Sequence, residues 1–315
     1  MTVSGLDTSR PFTRAAALHA GLGERELRRH RQLLHGVYVD ASVPVTPLVR
    51  AAAALLRYGG QAFASHATAA RIYGLPVPPL PDEHVTVTDR RARHRRAGVV
   101  CHFARAASGR TVEGVRVSAP AQVFVELATL LTLVDLVVVG DHLVRTRLVS
   151  LTGLREACAT TSLPGAARAR AAVDFVRPRV DSPMETRLRM LIVLAGLPEP
   201  EVNLLVGDDE GLALRRYDLC WPAARLIVEY DGRHHIEREQ QWESDLERRE
   251  GIDDDGWRLV VVTAKGIYRR PDLTLAKVHR LLRERRQPGV PRRLSDRWQA
   301  HFPVRAGEMD TPVAS

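Results

Sequence analysis

Lysine is nearly absent from this chain, whose two lysines, Lys265 and Lys277, stand beside 44 arginines. A bias of this kind is typical of a GC-rich genome. Cysteine is also scarce, since Cys101, Cys158 and Cys220 are the three in 315 residues. Their isolated positions exclude a disulfide framework and a zinc site built from paired cysteines. The sequence therefore fits a reducing compartment, and we expect a cytoplasmic protein.

Long apolar runs are missing as well. The longest apolar stretch, residues 121–144, is interrupted by Glu126, Asp135 and Asp141. No run approaches the roughly 18 residues that a membrane-spanning helix needs. The first 12 residues lack a basic segment followed by an apolar one, so we expect no export signal and no membrane partner. Residues 121–144 are predicted to be buried helix.

Positive charge is concentrated in the first third of the chain. Residues 1–110 contain 16 arginines and 7 acidic residues, whereas the remaining 205 contain 30 basic and 30 acidic residues. A genomic bias explains arginine in place of lysine, but it does not explain this asymmetry. Basic surfaces attract phosphate backbones through counterion release. We therefore predict that the front part of the chain binds DNA.

Residues 13–39 have the pattern helix, turn, helix, short strand. Thr13 can cap a first helix that ends at Gly21 and Gly23, and residues 24–34 are predicted as a second helix. Residues 36–39 then alternate as a strand does, which is the element order of a winged helix. The arginines that the second helix would offer to DNA are Arg25, Arg28, Arg29 and Arg31.

These residues resemble the amino-terminal winged-helix region of abortive-infection (AbiE-type) antitoxins. The resemblance covers roughly the first 90 residues and includes residues 65–70 (SHATAA) and 73–75 (YGL). It implies a DNA-binding module, and a three-helix module for protein contact is the alternative. His66 is interpreted as a helix-capping or packing residue rather than as a catalyst.

An arginine-rich segment separates two further predicted strands, residues 84–88 and 98–103. It is interpreted either as a phosphate clamp for DNA or as the solvated tip of a hairpin. Residues 119–178 follow as predicted helices. The arginines of the segment are Arg90, Arg91, Arg93, Arg95 and Arg96.

A helix and a hairpin are predicted after residue 181. Ser182 and Glu185 have the spacing of a capping box, in which Glu185 would bond back to the backbone N–H of Ser182. Residues 215–219 and 225–231 are predicted strands around the turn at residues 221–224.

Two acidic residues of this hairpin are predicted to share one face. With the turn centred on Pro222 and Ala223, Asp218 lies opposite Ile227, and Glu229 lies one diagonal away on the same face. Like charges so placed are costly unless a cation lies between them, and Mg²⁺ is commonly held by one or two carboxylates.

A further helix and a buried strand at residues 256–262 complete the order helix, hairpin, helix, strand. Here the sequence resembles the very-short-patch-repair endonuclease relatives within the PD-(D/E)XK nuclease superfamily. The resemblance covers about residues 180–284. It is carried by residues 182–185 (SPME), 217–219 (YDL) and 228–232 (VEYDG), and by His235, Asp245, Arg248, Ile252, Gly256 and Trp257.

The resemblance implies a metal-dependent DNA endonuclease, in repair or defence, that uses Mg²⁺ or Mn²⁺. Asp218 and Glu229 would bind the metal, and Glu185 would either complete its shell or cap its own helix. Asp231 stands where the superfamily's usual motif has a lysine. His235 is the candidate general base or acid.

Other assignments stay open. His234 is an alternative to His235, and Lys265 could reach the site from beyond the last strand. The alternative function is a catalytically inactive DNA-binding transcriptional regulator of antitoxin type, and a third is a structural or interaction protein. A homodimer is compatible with the sequence.

The sequence thus predicts a multidomain α/β protein. A winged helix-turn-helix module occupies residues 1–80, and an α+β and helical connecting region occupies residues 81–179. A restriction-endonuclease-like α/β domain with a mixed central sheet occupies residues 180–286. Residues 287–315 are predicted to form a flexible tail.

Overall fold

The structure is a computed structural model, and it describes residues 2–3, 5–60, 62–105, 109–206, 215–232 and 256–302. In chain order, the strands are β1 (Thr2–Val3), β2 (Leu6–Asp7), β3 (Phe12–Thr13), β4 (Arg31–Leu34), β5 (Val37–Val39), β6 (Phe63–Ala64), β7 (Glu83–Val87), β8 (Val99–Phe103), β9 (Gly109–Val112), β10 (Val115–Ser118), β11 (Glu201–Val206), β12 (Arg215–Trp221), β13 (Leu226–Tyr230) and β14 (Arg258–Val262). The helices are α1 (Arg14–His19), α2 (Glu24–Leu27), α3 (Pro47–Leu55), α4 (His66–Ile72), α5 (Pro120–Leu127), α6 (Leu133–Arg145), α7 (Leu151–Thr160), α8 (Ala166–Val173), α9 (Pro183–Leu194), α10 (Ala264–Tyr268) and α11 (Pro271–Glu284).

The chain divides into two compact units. The first unit comprises Met1–Leu131 and Thr146–Phe175, and the second comprises Thr132–Arg145 and Val176–Ser315. Both units combine helices with a mixed sheet, and the first unit also contains antiparallel sheets. The predicted multidomain α/β class is therefore confirmed at this coarse level. Within the part of the chain that the structure describes, every helix is too short or too polar to cross a bilayer.

The front of the first unit contains a three-stranded sheet of order β3-β5-β4. The Thr13 hydroxyl accepts the backbone N–H of Ala16 at 3.1 Å and caps α1, as predicted. The predicted second helix is wrong beyond Leu27, where α2 ends. Residues 31–34 instead pair with β5, because backbone pairing between strands overrides the favourable helix propensity of the arginine, glutamine and leucines in this run.

The second sheet of the first unit has the strand order β8-β7-β6-β10-β9. Strands β7 and β8 pair in parallel, with Glu83 opposite Val99 and Val87 opposite Phe103. The interpretation of the arginine-rich segment as a hairpin tip is therefore wrong, because a hairpin connects antiparallel strands. The segment is a crossover that returns from the end of β7 to the start of β8, and it begins with a 3₁₀ turn at Arg90–Ala92.

The second unit is built on a mixed sheet of order β11-β12-β13-β14, in which β13 and β14 are parallel and the other pairs antiparallel. The hairpin β12–β13 is present, but its predicted register is wrong, because Cys220 rather than Asp218 lies opposite Ile227. A 3₁₀ turn at Pro222–Ala224 is closed by Arg225 in the left-handed conformation (φ 45°). This longer turn moves the centre of the hairpin by one residue.

Residues 287–302 pack against the second unit, so the prediction of a flexible tail is wrong for them. The Ser295 N–H donates to the Ala195 carbonyl at 2.8 Å, and His279 Nε2 lies 2.8 Å from the Pro291 carbonyl oxygen. Trp298 and Phe302 are buried. Residues 303–315 lie outside the described residues.

Candidate functional site

Asp218 and Glu229 lie on adjacent strands of the second unit. Leu219 pairs with Val228, so continuing the ladder by one residue brings Asp218 opposite Glu229. Directly opposite residues share a face of the sheet. The observed register is thus compatible with the predicted shared face, and the ladder itself ends at Leu219 and Val228.

A hydrogen bond orients the Asp218 carboxylate. Its Oδ2 accepts the backbone N–H of Tyr230 at 2.9 Å, at the point where the β12–β13 ladder ends. The pKa of the Cys220 thiol responds to negative charge on the neighbouring strands. Burial raises the pKa of Cys220 to about 12, and the nearby carboxylates of Glu229, Glu201 and Asp218 add to that rise. Carboxylates of β11, β12 and β13 therefore all influence the pKa of the Cys220 thiol.

Glu185 lies at the start of α9 and is buried. Ser182 caps the helix by accepting the Glu185 N–H at 3.2 Å. The Glu185 carboxylate does not bond back to Ser182 as predicted, because its Oε2 accepts the backbone N–H of Asp181 at 3.0 Å. The same oxygen accepts the side-chain amide of Asn203 at 3.2 Å. These bonds give the carboxylate a structural role between the segment before α9 and strand β11.

Asn203 connects Glu185 to the strand that carries Asp218. Its neighbours Val202 and Leu204 pair with Leu219 and Tyr217, and Asn203 itself has a left-handed backbone (φ 49°) between them. Glu185, Asp218 and Glu229 nevertheless do not form a group of three ligands within 4.8 Å of one another among the described residues.

Asp231 and Lys265 follow two strands that end at the same edge. Tyr230 pairs with Val262 in the parallel β13–β14 ladder, and the Asp231 N–H donates to the Val262 carbonyl at 2.9 Å. Lys265 is exposed in the first turn of α10. The candidate base His235, its neighbour His234, and Asp245 and Arg248 lie outside the described residues.

The arginines predicted to bind DNA belong to the first unit. All but Arg96, which is partly buried, are exposed. Arg96 lies over the Tyr58 ring at 5.8 Å, and Arg90 lies over the Phe103 ring at 5.1 Å. Arg93 donates from Nε to the Cys101 carbonyl at 3.2 Å. A cavity of about 950 Å³ is lined by Arg93, Arg95, Arg96 and Asp82, among others.

Sequence reasoning missed a cluster of three histidines in the first unit. Potential ligand atoms of His66, His84 and His102 all lie within 4.8 Å of one another. His66 also has a packing role, because its ring stacks on that of His102 with 3.6 Å between centroids. The sequence offered one signal, a histidine in each of the two predicted strands at residues 84–88 and 98–103. These histidines could be recognised as neighbours only once the parallel pairing of β7 and β8 was known.

No family model matches the chain. Two relatives from Mycobacterium tuberculosis are each 28% identical to it over 256 residues, which cover 81% of this chain and 93% of theirs. They are "Uncharacterized protein MT2308" of strain CDC 1551 / Oshkosh and "Uncharacterized protein Rv2248" of strain ATCC 25618 / H37Rv. The similarity thus extends across both units, and neither name gives an activity.

Proposed function

We propose that the second unit is a metal-dependent DNA endonuclease domain and that the first unit supplies the DNA-binding surface. The observation that carries this proposal is that the Asp218 carboxylate accepts the N–H of Tyr230, the residue after Glu229, and that Asp218 and Glu229 both raise the pKa of the Cys220 thiol. Carboxylate oxygens are the ligands that Mg²⁺ and Mn²⁺ prefer, so the donor set fits either metal.

The proposed roles of the residues follow from their positions. Asp218 and Glu229 would hold the cation, and the Tyr230 N–H keeps the Asp218 carboxylate in one orientation. A bound divalent cation supplies polarisation of the phosphate and a lowered pKa of the attacking water. Asp231 contributes a further negative charge at the adjacent strand end, where the superfamily's usual motif has a lysine. His235 is proposed to exchange the proton of the water.

The first unit supports DNA as the partner. Its exposed arginines lie on and after α2 and in the β7–β8 crossover, and two of them line the 950 Å³ cavity together with the partly buried Arg96. Arginine donates to phosphate oxygens in a planar fork, and released counterions add to the affinity. The excess positive charge of residues 1–110 points to the same partner.

A DNA-binding regulator without nuclease activity is the second candidate. It is favoured by Asp231 in place of the lysine and by Glu185, whose carboxylate is bonded to Asp181 and Asn203. Such a protein would bind DNA through the first unit and use the second unit as a scaffold.

Cleavage assays separate the two candidates. Plasmid, single-stranded and mismatched DNA are incubated with Mg²⁺ or Mn²⁺ and with wild type, Asp218→Asn, Glu229→Gln or the control Glu284→Gln. Glu284 is an exposed carboxylate of the same unit that pairs with Arg280. A nuclease loses at least ~10²-fold in rate in the first two variants and retains its rate in the control. DNA binding without cleavage by wild type supports the regulator.

A further inference from the structure

The strand order of the first unit brings His66, His84 and His102 together. In the parallel β7–β8 ladder, His84 lies opposite Val100 and Thr86 lies opposite His102. Residues 84 and 86 share a face, so His102 lies one diagonal from His84 on that face. On the other side of β7, the Ser65 N–H donates to the His84 carbonyl at 3.0 Å, and His66 begins α4.

The distances suit a single metal ion. His84 Nδ1 lies 3.0 Å from His102 Nε2. Two nitrogens bound to one Zn²⁺ at about 2.0–2.1 Å are held roughly 3.0–3.4 Å apart. The ligand atom of His66 lies within 4.8 Å of the other two, and its ring, which stacks on that of His102 at an interplanar angle of 13°, would have to tilt out of the stack to direct its lone pair at the same ion.

The three imidazoles are largely shielded from solvent. His66 and His84 are buried, and His102 is partly buried. Burial is the main cause that lowers the pKa of His66 to about 2 and those of His84 and His102 to about 4. Glu126 lies 3.7 Å from His66 Nδ1, but its own burial raises its pKa to about 7, so it is a weak counter-charge. Neutral rings keep a nitrogen lone pair for a cation.

Second-layer contacts hold the His66 ring and backbone in place. The Ser65 hydroxyl lies 3.0 Å from His66 Nδ1 and accepts from Thr86 Oγ1 at 2.8 Å. In the tautomer that donates from Nδ1 to Ser65, Nε2 of His66 is the atom that can bind a metal. His66 has a left-handed backbone (φ 46°), and Glu126 accepts its N–H at 2.8 Å. Such strain persists only where the surroundings fix it.

We propose that His66, His84 and His102 form a zinc site in the first unit, separate from the carboxylates of the second unit. Three imidazole nitrogens are typical ligands of Zn²⁺, and the fourth position is then taken by water. The ion would join the start of α4 to strands β7 and β8. Without a metal, the same cluster is held by stacking and by a hydrogen bond between His84 and His102.

Metal content tests the site. The full-length chain is purified without a histidine tag, its zinc is measured by mass spectrometry, and the chelator-treated protein is titrated with Zn²⁺ against a chromophoric chelator. Wild type is expected to bind one equivalent, which His84→Ala and His102→Gln lose. The control His19→Ala, which alters an exposed histidine of the same unit, keeps it.

Wild type alone gives a second readout in case a variant fails to fold. Zn²⁺ is expected to raise its melting temperature, since a ligand that binds the folded state stabilises it, whereas Mg²⁺ at the same concentration does not. Co²⁺ is expected to give the visible absorption of a nitrogen-ligated ion of low coordination number. A wild type that binds less than stoichiometric zinc and shows no thermal shift overturns the proposal. A folded His102→Gln protein that keeps one equivalent does so too.

Discussion

Arg189 donates from Nη2 to the Asp141 carboxylate at 2.8 Å, and both side chains are almost completely buried. Thr186 Oγ1 and the backbone N–H of Arg177 donate to the same carboxylate, at 2.9 and 2.7 Å. Asp141 lies on α6 and is 48 residues away from Arg189 in the sequence. The pair therefore explains why α6 belongs to the second unit.

Asp141→Ala is expected to lower the free energy of unfolding of the second unit by at least about 2 kcal/mol, because Arg189, Thr186 and the Arg177 N–H lose a buried acceptor and Glu199 remains as the charged partner of Arg189. Urea denaturation followed by tryptophan fluorescence measures the change. The control is Glu284→Ala, which breaks the exposed Arg280–Glu284 pair and should cost less than about 1 kcal/mol. Equal stability of the two variants would contradict the role of the Arg189–Asp141 pair.

Local sequence patterns predicted individual helices and strands, but they did not predict which distant segments pair with each other. The alternation of residues 84–88 and the apolar run of residues 256–262 indicated β7 and β14. The end of α2 at Leu27 depends on the pairing of β4 with β5, and the parallel β7–β8 ladder depends on a crossover. The domain boundary expected near residue 180 did not assign α6 to the second unit. A buried ion pair holds α6 in that unit, and such a pair cannot be recognised from hydropathy.

The candidate sites also differ in whether local sequence or pairing between distant segments brings their residues together. Asp218 and Glu229 are close in sequence, so a hairpin with the wrong register still put them on one face. Strands β7 and β8 and the start of α4 assemble the histidine cluster, and the predicted strands gave no pairing order. His66, interpreted from the sequence as a helix-capping or packing residue, is the first residue of α4, where its backbone N–H needs an acceptor. Glu126, 60 residues away, is that acceptor.

Asp218→Asn and Glu229→Gln are each expected to abolish one Mn²⁺ site that calorimetry detects in wild type. Both carboxylates are proposed to hold one cation, so either loss removes it. Asparagine keeps an oxygen for the Tyr230 N–H. The melting temperature in the absence of metal should be kept or raised, because a repulsion between like charges is removed. Mn²⁺ binding of wild-type strength in both variants would refute a shared site.

The arginines of the crossover are expected to set the salt dependence of DNA binding. Changing Arg91, Arg93 and Arg95 to Gln should flatten the slope of log affinity against log salt by up to about 2.7, or about 0.9 for each lost phosphate contact. The control changes the exposed Arg292, Arg293 and Arg297 to Gln, which removes the same charge from the second unit. Fluorescence anisotropy over a salt series measures both slopes, and identical slopes would argue against the crossover.

His235→Ala is expected to lower the cleavage rate by roughly 10²- to 10⁴-fold with little change in DNA affinity. The reason is that Asp231 in place of the lysine leaves the imidazole as the candidate for proton exchange. His279→Ala is the control, since His279 contacts the Pro291 carbonyl and has no proposed role in cleavage. Cleavage at the wild-type rate by His235→Ala would leave His234 or Lys265 to be tested.

The histidine cluster predicts how stability depends on pH when zinc is removed by a chelator. Between about pH 4.5 and 6.5, His66, His84 and His102 are protonated in the unfolded chain but neutral in the folded one, because burial lowers their pKa values. Stability contributed by a depressed histidine pKa is present above the unfolded value of 6.5 and is lost as pH falls. Glu126 acts in the opposite direction, since its pKa, raised from 4.5 to about 7, makes the folded state hold one more proton in this range.

The net difference of two protons predicts that the free energy of unfolding falls by up to about 2.7 kcal/mol for each pH unit of acidification from pH 6.5 to 4.5. Urea denaturation at a series of pH values measures this slope.

His102→Gln should reduce the slope by about 1.4 kcal/mol per pH unit, because one titrating group is removed. Glu126→Gln should steepen it by a similar amount, because the opposing group is removed while its amide oxygen can still accept the His66 N–H. The opposite signs separate titration from a general loss of stability, which would lower both curves without changing their slopes. Parallel curves for wild type and both variants would show that these buried groups do not control the acid sensitivity of the first unit.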